Sequence, residues 1–371
     1  MLILKNILIA VLSLLISYWL GRAALDTLFD VNVKGAFMRL LAVVVGIIVL
    51  LLLAVFKKEL RWGSLAGVAL CIGGVLFGFM FQIAHNTKIG LNVKWDDSVG
   101  SVMSDLSYGE GQADMSYDLY LPSVKSQDGT YALVLYIHGG SFTGGDKKEG
   151  EGWCKYMTAK GYVSASMNYT VHSEEHPSNV VLMTDQILQC VRNIQSKAAD
   201  LGYPVTEMAV TGISAGGALA LMYAYGKAEE SPVPVKFVFE QTGPVYFDPI
   251  WWGNLNCDYE AQAAFVSMMS GETVTAEMVQ GNEHMAIVDA ISPASMVREG
   301  SVPTLCAYGP KDKIVPVGLK FHLLSALERC HVPYEYVEYP NSNHGMYSDP
   351  DAQREYVKKV NEYCEKYFDH H

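Results

Sequence analysis

The stretch Val210-Thr211-Gly212-Ile213-Ser214-Ala215-Gly216-Gly217 decides how the chain reads. Two β-branched residues lead into a glycine, a serine follows at the apex, and small residues continue behind it. That is the pattern of a strand end, a sharp turn and a helix start. Gly212 to Gly216 fits G-x-S-x-G, in which the serine is held on a strained strand-to-helix turn. The glycines have a steric purpose, because strand and helix can approach this closely only where Cβ atoms are missing. The helix that follows points its free N–H groups and its positive dipole end at the serine, which favours developing negative charge there. Five residues also describe a plain glycine-rich turn ahead of a buried Ala/Gly helix. The reading therefore depends on partners elsewhere.

Outward from this turn, the chain from about residue 89 alternates strand and helix patterns. Met115 to Leu121 alternates and stops at Pro122, and Tyr131 to Ile137 is a near-continuous apolar run. A strand buried on both faces of a parallel sheet has that second pattern. Strands are also expected at Tyr162 to Met167, Met208 to Thr211, Val235 to Glu240, Thr304 to Tyr308 and Tyr334 to Tyr339. Helices are expected at Glu149 to Lys160, Asn179 to Ala199, Ser214 to Gly226, Val317 to Cys330 and Asp351 to Phe368. The alternation predicts an α/β fold with a mostly parallel, doubly wound sheet. About sixty residues between Glu240 and Thr304 interrupt it. This insertion, within 244–300, carries Phe247, Trp251, Trp252, Phe265 and Met268 and lies where a cap or lid would sit, over the carboxyl ends of the strands.

A serine hydroxyl needs a base to take its proton and a third group to orient that base. His344, in the polar loop Asn341-Ser342-Asn343-His344-Gly345 between the last strand and the last helix, is the candidate base. Asp312, four residues behind the strand Thr304 to Tyr308, is the candidate acid. The order Ser214, Asp312, His344 is the one expected of this strand-turn-helix serine. Directly after the buried strand come His138-Gly139-Gly140-Ser141-Phe142. Backbone N–H groups can reach an oxyanion only where side chains do not block the approach. Gly139 and Gly140, with the Ala215 N–H, are the candidate oxyanion hole, and Ser141 can also offer its backbone N–H. His138 reads as structural. Phe142, Trp251 and Trp252 are candidate substrate-binding residues, suited to an apolar or aromatic acyl pocket.

These elements together resemble the alpha/beta-hydrolase superfamily, and within it the HGG-bearing esterase/lipase branch related to hormone-sensitive lipase and to bacterial feruloyl- and acetyl-esterase-like proteins. The resemblance covers about residues 100–368. The branch often shows HGGG and G-D-S-A-G-G; here Ser141 and Ile213 depart from it. Asn168-Tyr169 and Asp185 match positions that are structural in the branch. The resemblance implies a serine hydrolase acting on a small-molecule carboxylic ester through an acyl-enzyme, with no metal or cofactor required. Acylated sugars and lipid esters are both open as substrates, and short acyl groups are expected from the resemblance alone. Acyl transfer or peptide cleavage on the same fold is the enzymatic alternative. A binding protein on an inactive scaffold is the non-enzymatic one.

Composition bounds the setting. The 371 residues carry a net charge of −12, but the first 84 carry +4 and the remainder −16. So acidic a domain disfavours nucleic acid and anionic surfaces as partners. The seven cysteines show no metal spacing and no disulfide pattern. The front of the chain is strongly apolar. Residues 1–20 carry only Lys5 as a charge, Leu40 to Phe56 is 17 residues without one, and Trp62 to Ile83 is 22. Each approaches the length that crosses a ~30 Å hydrocarbon core. Three transmembrane helices are expected, near 2–20, 37–56 and 63–84, as a 1–88 anchor ahead of an 89–371 catalytic domain, with a signal peptide as the alternative reading of the first run. Gly63, Gly67, Gly74 and Gly78 would line one small-residue face of the third. Lys57, Lys58 and Arg61 crowd a short loop, which by the positive-inside rule places the N-terminus in the cytoplasm and the acidic domain outside the cell membrane.

Overall fold

The structure is a computed structural model, and it describes residues 91–109, 115–252 and 258–369. The three expected membrane spans, with Cys71, lie outside the described residues, as does Cys257. No helix among the described residues is long and apolar enough to cross a membrane. Contacts gather Gly90–His344 and Asp349–His371 into one compact unit, which holds the sheet and the candidate site.

Its centre is an eight-stranded sheet: β1 (Gly100–Ser107), β2 (Ser116–Pro122), β3 (Tyr131–Ile137), β4 (Val163–Met167), β5 (Val205–Ile213), β6 (Val235–Gln241), β7 (Thr304–Tyr308) and β8 (Tyr334–Glu338). The spatial order is β1-β2-β4-β3-β5-β6-β7-β8. β1 and β2 pair antiparallel, β2 pairs antiparallel to β4, and every pairing from β4 to β8 is parallel. All seven residues of β3 are buried, which explains its unbroken apolar run: helices cover both of its faces. β1 was not legible in the sequence. It is an edge strand with only Gly100 fully buried, so no one-sided apolar alternation marks it.

The helices are α1 (Glu151–Thr158), α2 (Val180–Asp200), α3 (Ala215–Gly226), α4 (Tyr259–Ser270), α5 (Ala276–Gln280), α6 (Met285–Ile291), α7 (Pro293–Met296), α8 (Lys320–Arg329) and α9 (Pro350–Tyr367). α2 begins where Asn179 accepts the Leu182 N–H at 3.0 Å, a side-chain cap on an otherwise unpaired donor. α3 is buried along nearly its whole length, as its Ala/Gly/Leu composition requires of a helix with no polar face. α1 and α8 are shorter than the expected helices, because 3-10 turns at Lys147–Gly150 and Val317–Leu319 occupy their first residues.

The insertion between β6 and β7 folds as α4 to α7. Ala263, Val266, Val274, Val279 and Val288 form a small core of their own. Met269, Ile291 and Ala294 join the main core instead. The insertion is thus a helical piece with a private core, stitched to the sheet at its rims. Five cysteines are free among the described residues. Cys154, Cys190, Cys306 and Cys364 are buried and Cys330 is partly so.

Candidate active site

The parallel register brings the carboxyl ends of β3, β5 and β6 level. Ile137 pairs with Gly212, and Gly212 with Glu240. The loops behind β3, β5, β7 and β8 therefore open on one edge of the sheet.

At the end of β5, Ser214 has φ 56° and ψ −127°, a backbone conformation that costs a non-glycine residue of order 1–3 kcal/mol. Neighbouring contacts hold it there. The Ser214 N–H donates to Gln241 O at 2.9 Å and Ser214 O accepts from Ala218 N–H at 3.1 Å. A Cβ on Gly216 would lie 2.1 Å from Ile137 O, so helix α3 can sit this close to β3 only with glycine at that point.

The His344 imidazole bridges the serine and the acid. Its Nδ1 is 2.7 Å from Asp312 Oδ2 and its Nε2 is 2.8 Å from Ser214 Oγ. An ionised carboxylate only accepts, so the proton sits on Nδ1, leaving Nε2 free to accept from the serine hydroxyl. The other oxygen of Asp312 accepts the N–H groups of Ile314 at 2.8 Å and Val315 at 3.0 Å, which leaves the acid little freedom to turn. The imidazole is held from behind as well. The Lys311 N–H donates to Ser342 O at 3.2 Å, joining the two loops. Asp349 accepts from Asn341 N–H at 2.9 Å and Ser342 Oγ at 2.7 Å. Burial would raise the Asp349 pKa, but the hydrogen bonds from Ser342 and Asn341 outweigh it and hold the carboxyl below its usual range.

The loop after β3 runs through three successive positive φ values at Gly140, Ser141 and Phe142. His138 takes no part in the relay. It is buried, donates from Nδ1 to Gly139 O at 2.7 Å, and stacks on Tyr169 at 4.3 Å. The Tyr169 hydroxyl donates to His138 O at 3.0 Å, and Asn168 Oδ1 accepts the Lys147 N–H at 2.6 Å. Asp185, half-exposed, pairs with Lys227 at 2.9 Å.

One expected donor is already occupied. The Gly139 N–H donates to Glu149 Oε2 at 3.2 Å. The N–H groups of Gly140, Ser141 and Ala215 find no acceptor among the described residues. Sequence reasoning missed Glu149 because a glutamate just past a glycine loop reads as an ordinary helix-start acid. It also missed Lys147. Its side chain is 4% exposed and its ammonium sits 2.6 Å from Asp105 and 2.9 Å from Asp118, tying the far end of the glycine loop to β1 and β2. Burial alone would lower the Lys147 pKa, but its hydrogen bonds to Asp105 and Asp118 raise it.

The three candidate substrate-binding residues part company. Phe142 is buried, edge-on to Phe247 at 5.9 Å. Trp252 lies against Phe265 at 5.5 Å, with a buried Nε1 that has no partner among the described residues. Trp251 is 40% exposed and meets His322 edge-on at 5.0 Å. Among the described residues, no group of three His, Cys, Asp or Glu side chains could hold a metal ion.

A family model matches residues 117–327, more than half of the chain. The chain belongs to the BD-FAE family. The match runs from β2 through α8 and includes Ser214, Asp312 and the glycine loop. Solved structures show the same fold at low identity. A truncated carbohydrate esterase from gut microbiota aligns with TM-score 0.60 and 18% identity, covering 73% of this chain and 98% of that one. Esterase B from Lactobacillus rhamnosis, in an inhibited form, aligns with TM-score 0.57 and 17% identity, covering 79% and 95%. A thermophilic esterase from Thermogutta terrifontis aligns with TM-score 0.55 and 19% identity, covering 72% and 94%. Among curated proteins, juvenile hormone esterase from Heliothis virescens is 26% identical over 135 residues, 34% of this chain; the matched part spans 24% of that protein's length.

Proposed function

We propose that this BD-FAE family member is a serine carboxylester hydrolase. The observation that carries the reading is His344 placed between Asp312 at 2.7 Å and Ser214 at 2.8 Å. Ser214 Oγ attacks the ester carbonyl and its proton passes to His344 Nε2. Asp312 keeps the imidazole in the correct tautomer and offsets the charge of the imidazolium. A bond forms between Oγ and the acyl carbon, and the carbonyl electrons move onto the oxyanion. When the intermediate collapses, the ester C–O bond breaks and His344 returns the proton to the leaving alcohol. Water then repeats the sequence on the acyl-enzyme and releases the acid. With Gly139 engaged by Glu149, the oxyanion donors assigned here are the N–H groups of Gly140, Ser141 and Ala215, on the principle that unpaired, preorganised donors stabilise developing charge most.

The insertion 244–300 serves as the cap of this site, and the part from residue 89 onward is the catalytic domain. Residues 1–88 tether it to the cell membrane with the acidic domain outside, a reading supported by the three long, nearly uncharged runs and the Lys57-Lys58-Arg61 cluster. Substrates are small-molecule esters. Trp251 and Trp252 favour apolar or aromatic acyl groups, and the relatives include esterases of carbohydrate and of hormone substrates by name.

The test is hydrolysis of short p-nitrophenyl esters by the full chain and by Ser214→Ala. Turnover should be lost in the variant, along with labelling by a fluorophosphonate probe. Equal turnover by the two proteins sinks the assignment. Resistance to carbonate extraction from membranes and protease accessibility in intact cells test the tether and its side.

A further inference from the structure

β6 ends in a turn that the relay itself does not use. Glu240 is fully buried, its carboxyl turned toward the first turn of α3. Glu240 Oε2 accepts the Gly243 N–H at 2.7 Å. The turn between them forces Thr242 to φ 52°, a rare conformation for a β-branched residue. It also presents Gln241 O to the Ser214 N–H at 2.9 Å. The same carboxyl lies against the Tyr308 hydroxyl, which donates to Gly243 O at 3.0 Å. Tyr308 is the last residue of β7 and opens the loop that carries Asp312. Gln241 reaches the third loop, since its Nε2 donates to the Tyr339 hydroxyl at 3.1 Å, and Tyr339 begins the run to His344. One folded-back side chain therefore fastens a four-residue turn to which the bases of the serine, acid and histidine loops are all attached.

The approach leaves no slack. A Cβ on Gly217 would lie 3.0 Å from Glu240 Oε2, and one on Gly243 would lie 2.9 Å from both Glu240 Oε2 and Ala218 N. A carboxyl in so tight a site needs a reason to be there, because an apolar side chain of that length would fill the space without burying a polar group.

We infer that Glu240 is a positioning residue for the proposed reaction: it clamps the 240–243 turn and so keeps Ser214 in register with the Asp312 and His344 loops. The inference rests on the serine-hydrolase reading of the site. Its charge state follows from its surroundings. The groups facing it are Gly243 N–H from its own turn, Tyr308 and Cys306 from β7 and Tyr225 from α3, with Tyr356 of α9 acting from further off. None is a cation. Glu240 Oε1 has no hydrogen-bond partner, so an anion here would be half-solvated at best. Burial accordingly pushes its pKa to about 8. A neutral carboxyl offers Oε2 to Gly243 and puts no charge on the unpartnered Oε1. An anion would leave Oε1 charged without a donor, so the side chain would have to shift toward water and disturb the turn that carries Gln241 O.

The experiment compares full-length wild type, Glu240→Gln and Glu240→Ala in p-nitrophenyl ester hydrolysis across neutral and alkaline pH. Wild type should lose kcat on an alkaline limb near the Glu240 pKa, with KM little changed. Glu240→Gln keeps the acceptor for Gly243 but cannot ionise, so it should retain neutral-pH kcat and lack that limb. Glu240→Ala releases the turn and should lower kcat by about tenfold to a hundredfold, the scale of a small misplacement of reacting groups. A glutamine variant whose alkaline limb matches wild type overturns the inference, whether or not the alanine variant folds. Fluorophosphonate labelling of wild type separates the two readings. A labelled, active wild type with an unchanged glutamine profile defeats this inference alone, whereas a wild type that neither labels nor turns over defeats the hydrolase reading and this one with it.

Discussion

Replacing Glu240 by glutamine should change how the fold responds to pH, independently of catalysis. In the folded protein burial raises the Glu240 pKa from an ordinary 4.5 to about 8. Below the unfolded value both states hold the proton and the group contributes no pH dependence. Between the two values the folded state keeps a proton that the unfolded chain has released. Stability therefore falls as pH rises, by 1.36 kcal/mol per unit, and levels off once the folded group ionises as well. A window of this width corresponds to a loss on the order of 5 kcal/mol from end to end. At roughly 2–4 °C per kcal/mol for a domain of this size, the melting temperature should drop by about 10 °C or more across it from this one group. Glutamine fills the same space, still accepts from Gly243, and does not titrate. The assay is thermal melting of Ser214→Ala and of the Ser214→Ala, Glu240→Gln double variant, so that activity plays no part, at several pH values from mildly acidic to mildly alkaline. The difference between the two curves should widen steadily in favour of the double variant as pH rises. Parallel curves would refute the reasoning, because they would mean that Glu240 is ionised or solvated in the folded state.

Further outcomes follow from other contacts. Asp312→Asn leaves the geometry but allows the wrong imidazole tautomer, and kcat should fall by about 10⁴, the loss known for the equivalent change in a serine protease, with KM nearly unchanged in steady-state assays. Lys147→Met strands the buried Asp118 carboxylate, which should cost about 3 kcal/mol or more in urea unfolding; a loss within error of zero would mean that water reaches the pair. Glu149→Ala frees the Gly139 N–H and loosens the glycine loop. It should lower kcat by about tenfold through misaligned oxyanion donors, whereas a kcat above wild type would restore Gly139 to the hole.

The legible part of the fold was the part with a one-to-one link between residue type and burial. Tyr131 to Ile137 is apolar throughout because both its faces are covered, and the strand lies where that pattern put it. The Gly212-to-Gly216 turn was legible because its glycines answer to a steric demand, and Asn179 because a cap is a local hydrogen bond. Asp312 and His344 could be named from their places behind strands, and the structure sets both within hydrogen-bonding reach of the Ser214 relay. What escaped was non-local. Nothing near Glu149 in sequence says that its carboxylate turns back ten residues to Gly139. Nothing near Lys147 points to Asp105 and Asp118. Glu240 sits in the run Phe237-Val238-Phe239-Glu240-Gln241, where an acid ordinarily marks a strand leaving the core. It is buried because α3 offers it a glycine-lined gap, which only the packed structure reveals.

The private valine core of the β6–β7 insertion bears on how such an enzyme can diversify. Substitutions among Ala263, Val266, Val279 and Val288 are felt mainly by one another, so that piece can drift, lengthen or be exchanged while the sheet beneath keeps its register. The relay rests on β5, β7 and β8, outside the insertion. Descendants of such a chain could reshape the insertion while the strands that carry Ser214, Asp312 and His344 keep their places.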